Sequence, residues 1–349
     1  MKNKLEIGKE YPKKNEDAFI DRMLSLMKKQ MRALYANQPK SLRQVHNKMH
    51  GCLKAEFIVA KDLPPNLKVG IFKEEKSFQT WLRFSNGQTR INKDQSPDTR
   101  GLAMKLMGVS GEKLLEYNEK DNTHDIILAS GPTFFSKDIY DFQGLLRATI
   151  RGKVSIILYL ITHWPLAYRV FFKVFNRCKH PLAIDYFSTS PYRFGNDSTA
   201  VKYHTKLSSG KLEYTDHKDP DFLKKNLITT LKQTEIYIDF YVQFQTDAEK
   251  MPIENAIIAW DSPFHKVATI RIPAQEFDTP MQRETGENLT FNIWRCLAEH
   301  RPLGGFNRCR KRVYEAMYTF RHDANKIDIP EPLPSADFFT NTNGINARI

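Results

Sequence analysis

Ser77-Phe78-Gln79-Thr80-Trp81-Leu82-Arg83-Phe84-Ser85, the turn-forming Asn86-Gly87, and Gly101-Leu102-Ala103-Met104-Lys105-Leu106-Met107 read as consecutive strands. Asn-Gly and the following Ser96-Pro97-Asp98 are turn chemistry, so the chain reverses between them. Working outward, the latter part of Leu42–Ala60 alternates and is expected to be a strand, as is Leu67–Phe72. Asp125–Phe135 reads as a strand with a turn, and later strands are expected at Ala200–Leu207, Ile236–Gln245 and Ile257–Ile272. Helical spacing appears at both ends. Phe19, Ile20, Met23, Leu24, Met27 and Met31 form an amphipathic stripe within Asn15–Tyr35. Phe306–His322 follows Gly304-Gly305, contains no Pro or Gly, and offers Asn307 as an N-cap. The class is therefore α+β, with an antiparallel β-barrel or strongly curved sheet between terminal helices.

The 349 residues are 41 % hydrophobic and 12 % aromatic, ample for a core around a bulky ligand. Residues 1–40 read as an arm and amphipathic helix, 41–325 as the main domain, and 326–349 as a tail. Cys52, Cys178, Cys296 and Cys309 show no CxxC pairing, which argues against a disulfide scaffold or structural zinc. No apolar run opens the chain, so a cytoplasmic setting is the simplest expectation. The net charge of +13 comes without a zinc-finger, RRM or bZIP pattern, so nucleic acid is not the expected partner. Ser155–Phe175 is strongly apolar, yet it contains His163, Pro165, Arg169 and Lys173 and has basic flanks through Lys179. It reads as a helical insertion at about 150–180. The readings are a buried hairpin or a helix pair on a membrane surface, in preference to a span.

Four clusters carry candidate chemistry: Arg43-Gln44-Val45-His46-Asn47-Lys48, Leu82–Ser85 with Asp98–Lys105, Pro132–Asp138, and Arg310 with Tyr314 and Arg321. Arg310 and Tyr314 are four apart on the terminal helix, so guanidinium and phenol share a face. A phenol oxygen is one of the protein ligands of haem iron. At these clusters the chain resembles the haem catalase family, in particular its short, catalase-related members. The family's Arg-x-x-His-x-Lys motif resembles Arg43–Lys48, and its Val-Arg-Phe-Ser strand resembles Leu82–Ser85. Its Asp-x-Arg-Gly-x-Ala-x-Lys run resembles Asp98–Lys105, and its Pro-x-Phe-Phe-x-x-Asp segment Pro132–Asp138. Its proximal signature places an Arg four before the ligating Tyr and another seven after it, as around Tyr314.

The resemblance implies a catalase-like antiparallel barrel enclosing haem b, with Tyr314 as axial ligand and His46 as the distal catalytic residue. It implies Arg43, Arg83 and Arg321 as partners of the haem propionates, Arg310 beside the Tyr314 oxygen, and Phe134 and Phe142 near the porphyrin. His50 is the alternative distal base. Where the family has an Asn-Asn dipeptide this chain has Ala129-Ser130, and much of the usual C-terminal portion is missing, so a monomer or homodimer is expected. The expected function is a peroxidase-type reduction of hydrogen peroxide or organic hydroperoxides with a separate electron donor. The alternatives are a fatty-acid hydroperoxide isomerase or lyase, resembling allene oxide synthases, and a non-enzymatic haem-binding protein.

Overall fold

A two-residue strand closes the molecule's central sheet. In the computed structural model, which describes residues 4–115, 121–174, 177–327 and 331–340, nine antiparallel strands form one sheet. They are β1 (Met49–Val59), β2 (Ser77–Asn86), β3 (Arg100–Met107), β4 (Thr123–Ala129), β5 (Tyr186–Phe187), β6 (Tyr192–Phe194), β7 (Asn196–Ser209), β8 (Ile236–Phe244) and β9 (Phe264–Ile272). The order is β5-β4-β3-β2-β1-β9-β8-β7-β6, and β5 also pairs with β7. Phe187 bonds Ala129 on one side and His204 on the other, which closes a barrel and leaves β6 as a flap on β7. Closure removes the exposed edges that an open sheet of this size would carry.

Alternating side chains fill the lumen. Phe57, Leu82, Phe84, Met104, Phe240 and Ile270 are fully buried there, with Phe57 edge-on to Phe240 at 5.2 Å. Leu67–Phe72 is not a strand. Pro64-Pro65 and Gly70 turn it into two short 3₁₀ turns, Pro65–Leu67 and Gly70–Phe72, which deliver Phe72 to the lumen within 6.2 Å of Phe57 and 6.1 Å of Phe240. Gly70 sits at φ +53, and a Cβ there would meet the buried His300 ring at 2.2 Å. The strand expected over 257–272 starts only at Phe264. Pro263 lacks a donor, and the Gln243 side chain satisfies the carbonyls of Trp260 and Ser262 at 3.1 and 2.8 Å instead.

The helices are α1 (Glu16–Tyr35), α2 (Ile139–Arg151), α3 (Lys153–Thr162), α4 (Trp164–Tyr168), α5 (Phe222–Leu231), α6 (Pro280–Asn288) and α7 (Gly305–Asn325). α1, α2 and α7 share a second core of Ile20, Met23, Met27, Met31, Ile139, Leu146, Val313 and Met317. The N-terminus of α7 is capped by carboxylates, not by Asn307. Gly304 N–H donates to Glu10 at 2.7 Å and Gly305 N–H to Glu254 at 2.8 Å. Asn307, one turn in, donates instead to the Pro191 carbonyl at 2.9 Å. Arg308 bonds Glu10, Glu16 and Glu254, so residues of the expected arm and first helix are tied to α7. In the tail, Glu331 pairs with Lys105 at 2.5 Å and Arg295 at 3.1 Å; 328–330 and 341–349 lie outside the described residues, as do 175 and 176 of the basic run.

Gly70→Ala is expected to lower stability by about 2–4 kcal/mol, combining a left-handed backbone with overpacking against His300. The urea midpoint with unchanged slope measures this; an unshifted midpoint would mean the turn is not strained.

Candidate active site

Strand periodicity divides β2–β4 between two jobs. Leu82, Phe84, Ile126 and Leu128 point into the lumen, while Arg83, Ser85, Gly101, Ala103 and Ile127 line a cavity on the outer wall. The register sets Arg83 beside Ala103 and Ala103 beside Ile127; Ser85 stands beside Gly101. The small residues of this wall leave space that a helix crossing it does not fill. Val313, Tyr314, Met317, Tyr318 and Arg321, one face of α7, form the opposite wall. Arg43–His46 and Leu289–Phe291 complete the cavity. The cavity therefore lies between barrel wall and helix, and the lumen itself is packed.

His46 is held on several sides. Its backbone has φ 62, its N–H donates to the Gly87 carbonyl at 3.2 Å, and its own carbonyl accepts from Arg83 at 3.0 Å. The ring lies on Gly101, where a Cβ would stand 2.5 Å from Cε1. Nδ1 shares a 3.0 Å hydrogen bond with the Ser85 hydroxyl, which leaves Nε2 as the ring nitrogen that Ser85 does not engage. Burial, then the positive charges of Arg83, Arg43 and Arg310, pull its pKa down to about 4, leaving a neutral imidazole at pH 7. His50 is buried elsewhere, with Nε2 bonded to Asn86 Oδ1 at 2.7 Å, and does not line the cavity.

One end of the cavity is strongly positive. The last carbonyls of α6 lack helical partners, and three arginines supply donors. Arg83 Nε donates to the Gly286 carbonyl at 3.0 Å, Arg43 to Gly286 and Leu289 at 3.2 and 2.5 Å, and Arg321 to Glu287 and Asn288. Among them stands one carboxylate, Glu287, 3.1 Å from Arg43 and 3.3 Å from Arg83. Burial raises the Glu287 carboxyl, but Arg83, Arg43 and Arg321 outweigh it and hold it below the ordinary value. Burial and mutual repulsion with Arg83 lower the Arg321 guanidinium to about 10 and depress Arg43 as well. Among the described residues, three cations against one anion leave two positive charges uncompensated at this end.

Of the residues singled out in the sequence, Arg43, His46, Arg83, Tyr314 and Arg321 meet in this cavity. Arg310 does not line it; its Nη1 donates to Asn307 Oδ1 at 3.0 Å, and its charge reaches His46 and Tyr192. Phe134 and Phe142 do not line it either. They pack at 5.9 Å from each other and at 4.7 and 6.3 Å from Phe306 of α7, in an aromatic cluster that includes Phe135. Ala129 is fixed in the ladder between Gly101 and Phe187, and Ser130 Oγ accepts from the Arg100 N–H at 2.8 Å. Neither lines the cavity. Sequence reasoning missed Glu287 and assigned no role to Ser85 or Gly101. Ser85 was findable, two residues beyond Arg83 on the same strand face. Glu287 carried no signal beyond a charge near a helix end.

The sequence matches no protein-family model and no curated protein. Solved structures do match. Catalase A from Saccharomyces cerevisiae superposes with TM-score 0.64 at 16 % identity, covering 92 % of this chain and 69 % of that one. The fold is the catalase fold. A fungal catalase gives TM-score 0.61 at 16 % identity, over 93 % of this chain and 65 % of that one. A bacterial catalase gives 0.61 at 16 %, over 95 % and 67 %. The chain thus spans about two thirds of the length of these catalases, and the likeness is one of fold. Among the described residues no three His, Cys, Asp or Glu side chains gather as metal ligands; the cavity is lined by the Tyr314 and Tyr318 phenols and the His46 imidazole.

His46 should titrate near pH 4 by NMR of the imidazole carbons. The unfolded ring takes its proton near 6.5, so between 6.5 and about 4 the unfolded chain binds more protons, and this group lowers stability as pH falls through that window. A midpoint near 6.5 would mean that the arginines and burial do not act on the ring.

Proposed function

We propose that this catalase-fold protein binds haem b between Tyr314 and His46 and uses it to reduce peroxides. The observation that carries the reading is the convergence, in one cavity, of a Tyr on α7, a neutral His on the barrel side, and three arginines in excess of one carboxylate. A haem brings two propionates, which match the two uncompensated charges beside Arg43, Arg83 and Arg321 and would form charge-assisted bonds there. Tyr314 Oη would hold the iron, with Arg310 one turn before it on the same helix. Ferric haem supplies redox and Lewis-acid chemistry toward peroxides.

The chain's part is proton transfer and exclusion of water. His46 Nε2 would take the proton from one peroxide oxygen and return it to the other as the O–O bond breaks, so that one oxygen leaves as water or an alcohol. The two electrons would come from the haem, and the electron donor with two protons would restore it and release the second oxygen as water. The Ser85 bond fixes the ring plane, and the low pKa keeps Nε2 able to accept at neutral pH. The positions matching the family's distal amide, Ala129 and Ser130, do not line the cavity and so offer it no donor. This favours reduction with an electron donor over rapid dismutation of hydrogen peroxide. The cavity's apolar side chains, Val45, Leu102, Ile127, Leu289, Phe291 and Met317, also suit an organic hydroperoxide, which supports a fatty-acid hydroperoxide isomerase as the second reading.

The purified protein is expected to take up haem with a high-spin ferric spectrum, and Tyr314→Phe to abolish that spectrum while the fold persists by circular dichroism. A folded protein that takes up no haem ends both readings. His46→Gln should retain the haem spectrum and slow peroxide consumption by about 10²–10⁴-fold; an unchanged rate would remove the distal role. Turnover of cumene hydroperoxide only with an added donor marks the reductase. Rearrangement of a fatty-acid hydroperoxide without a donor marks the isomerase.

A further inference from the structure

The segment after α2 is folded inside out. Val154, Ile157, Leu158 and Ile161 follow the i, i+3, i+4, i+7 spacing of a buried helix stripe, yet they are 56–72 % exposed, and α3 buries no residue at all. Trp164, Tyr168, Phe171 and Phe172, at i, i+4, i+7 and i+8, are likewise exposed over α4 and the π-helical turn at Arg169–Val174, with Trp164 70 % and Phe172 73 % exposed. The buried-hairpin reading is thereby overturned. Eight large apolar side chains in nineteen residues make a patch that water alone does not stabilise.

Charge selects the occupant. Between 142 and 184 there is no Asp or Glu and there are seven Lys or Arg. Arg147, Arg151, Lys153, Arg177 and Lys179 are exposed, while Arg169 is held inward by the Phe135 carbonyl at 2.7 Å and Asp141 at 3.7 Å. A second copy of the chain would bring like charges face to face in a two-fold contact. An anionic bilayer offers acyl chains to the aromatic and aliphatic side chains and phosphates or carboxylates to the cations. Geometry argues against a straight span. Among the described residues no single helix is long and apolar enough to cross a membrane, and the two apolar arms, Lys153–Thr162 and Trp164–Phe172, bend by 107°. Each arm is about 15 Å long, half the roughly 30 Å of a hydrocarbon core. Two short arms at such an angle suit the headgroup boundary, with Trp164 at the depth that indoles prefer.

We propose that Lys153–Phe172 is a peripheral membrane anchor that inserts its outward apolar stripes into the surface of an anionic bilayer. The assignment does not depend on the proposed chemistry of the cavity. It is tested by flotation of the full chain with vesicles of phosphatidylcholine, with and without phosphatidylserine, at low and high salt. The native protein should float with the anionic vesicles and be released by salt. Ile161→Glu/Phe172→Glu, at exposed positions, should leave the circular dichroism spectrum unchanged and weaken vesicle binding by about a hundredfold, the loss of two inserted apolar side chains. A native protein that floats with neither vesicle overturns the proposal, as does a folded double variant that binds like the native chain. A native dimer that the double variant converts to monomer, without vesicle binding by either, assigns the surface to a second copy and also overturns it.

Discussion

Three guanidinium groups do not gather without help, and here the C-terminus of α6 gathers them. Its last carbonyls need donors because the helix has ended, and Arg83, Arg43 and Arg321 arrive from three parts of the chain to supply them. The negative end of the helix dipole and Glu287 offset part of the repulsion, but not all of it. Arg83 also donates to the His46 carbonyl, and Arg321 lies on the helix that carries Tyr314. The barrel wall, the segment Arg43–His46 and the last helix are thus joined through one electrostatic knot. Removing any arginine would leave a buried carbonyl without a donor, so the positive end of the cavity is part of what the fold requires.

This knot also explains what could and could not be read in the sequence. The barrel strands flanking the site were legible because β2, β3 and β4 carry local signals: β-forming side chains, an Asn-Gly turn and a proline turn. Arg43, Arg83, His46, Tyr314 and Arg321 were legible as a set through spacing and resemblance, and the cavity unites them. Glu287 was not, since its meaning lies in arginines 34 to 244 positions away. β5 was missed because two residues carry no pattern, although they close the barrel. Leu67–Phe72 failed for the opposite reason. Its apolar residues fit a strand, but Gly70 and two prolines bend the chain so that Phe72 plugs the lumen. Phe134 and Phe142 were placed by motif near a cofactor, and side-chain packing put them elsewhere.

The strands of the barrel wall serve two interiors at once. In β2 the odd positions carry Arg83 and Ser85 to the cavity while Leu82 and Phe84 fill the lumen, and a one-residue slip would exchange them. That makes the site's geometry as strongly specified as the core. Gly101 and Ala103 matter for the same reason, as larger side chains there would fill the cavity or displace His46 without touching the lumen.

The aromatic cluster that proved not to line the cavity has its own consequence. Phe134 and Phe135 lie in the turn before α2, Phe142 is on α2, and Phe306 begins α7. Asp138 caps α2 by accepting from the N–H groups of Tyr140 and Asp141, and Arg169 ties the far arm of the apolar hairpin to the Phe135 carbonyl. The hairpin's root is therefore packed against the helix that carries Tyr314. A surface docked through Trp164 and Phe172 would hold α7, and with it the cavity, at a fixed attitude to the bilayer. The same packing that removed Phe134 and Phe142 from the cavity wall thus couples the wall to the chain's exposed apolar face.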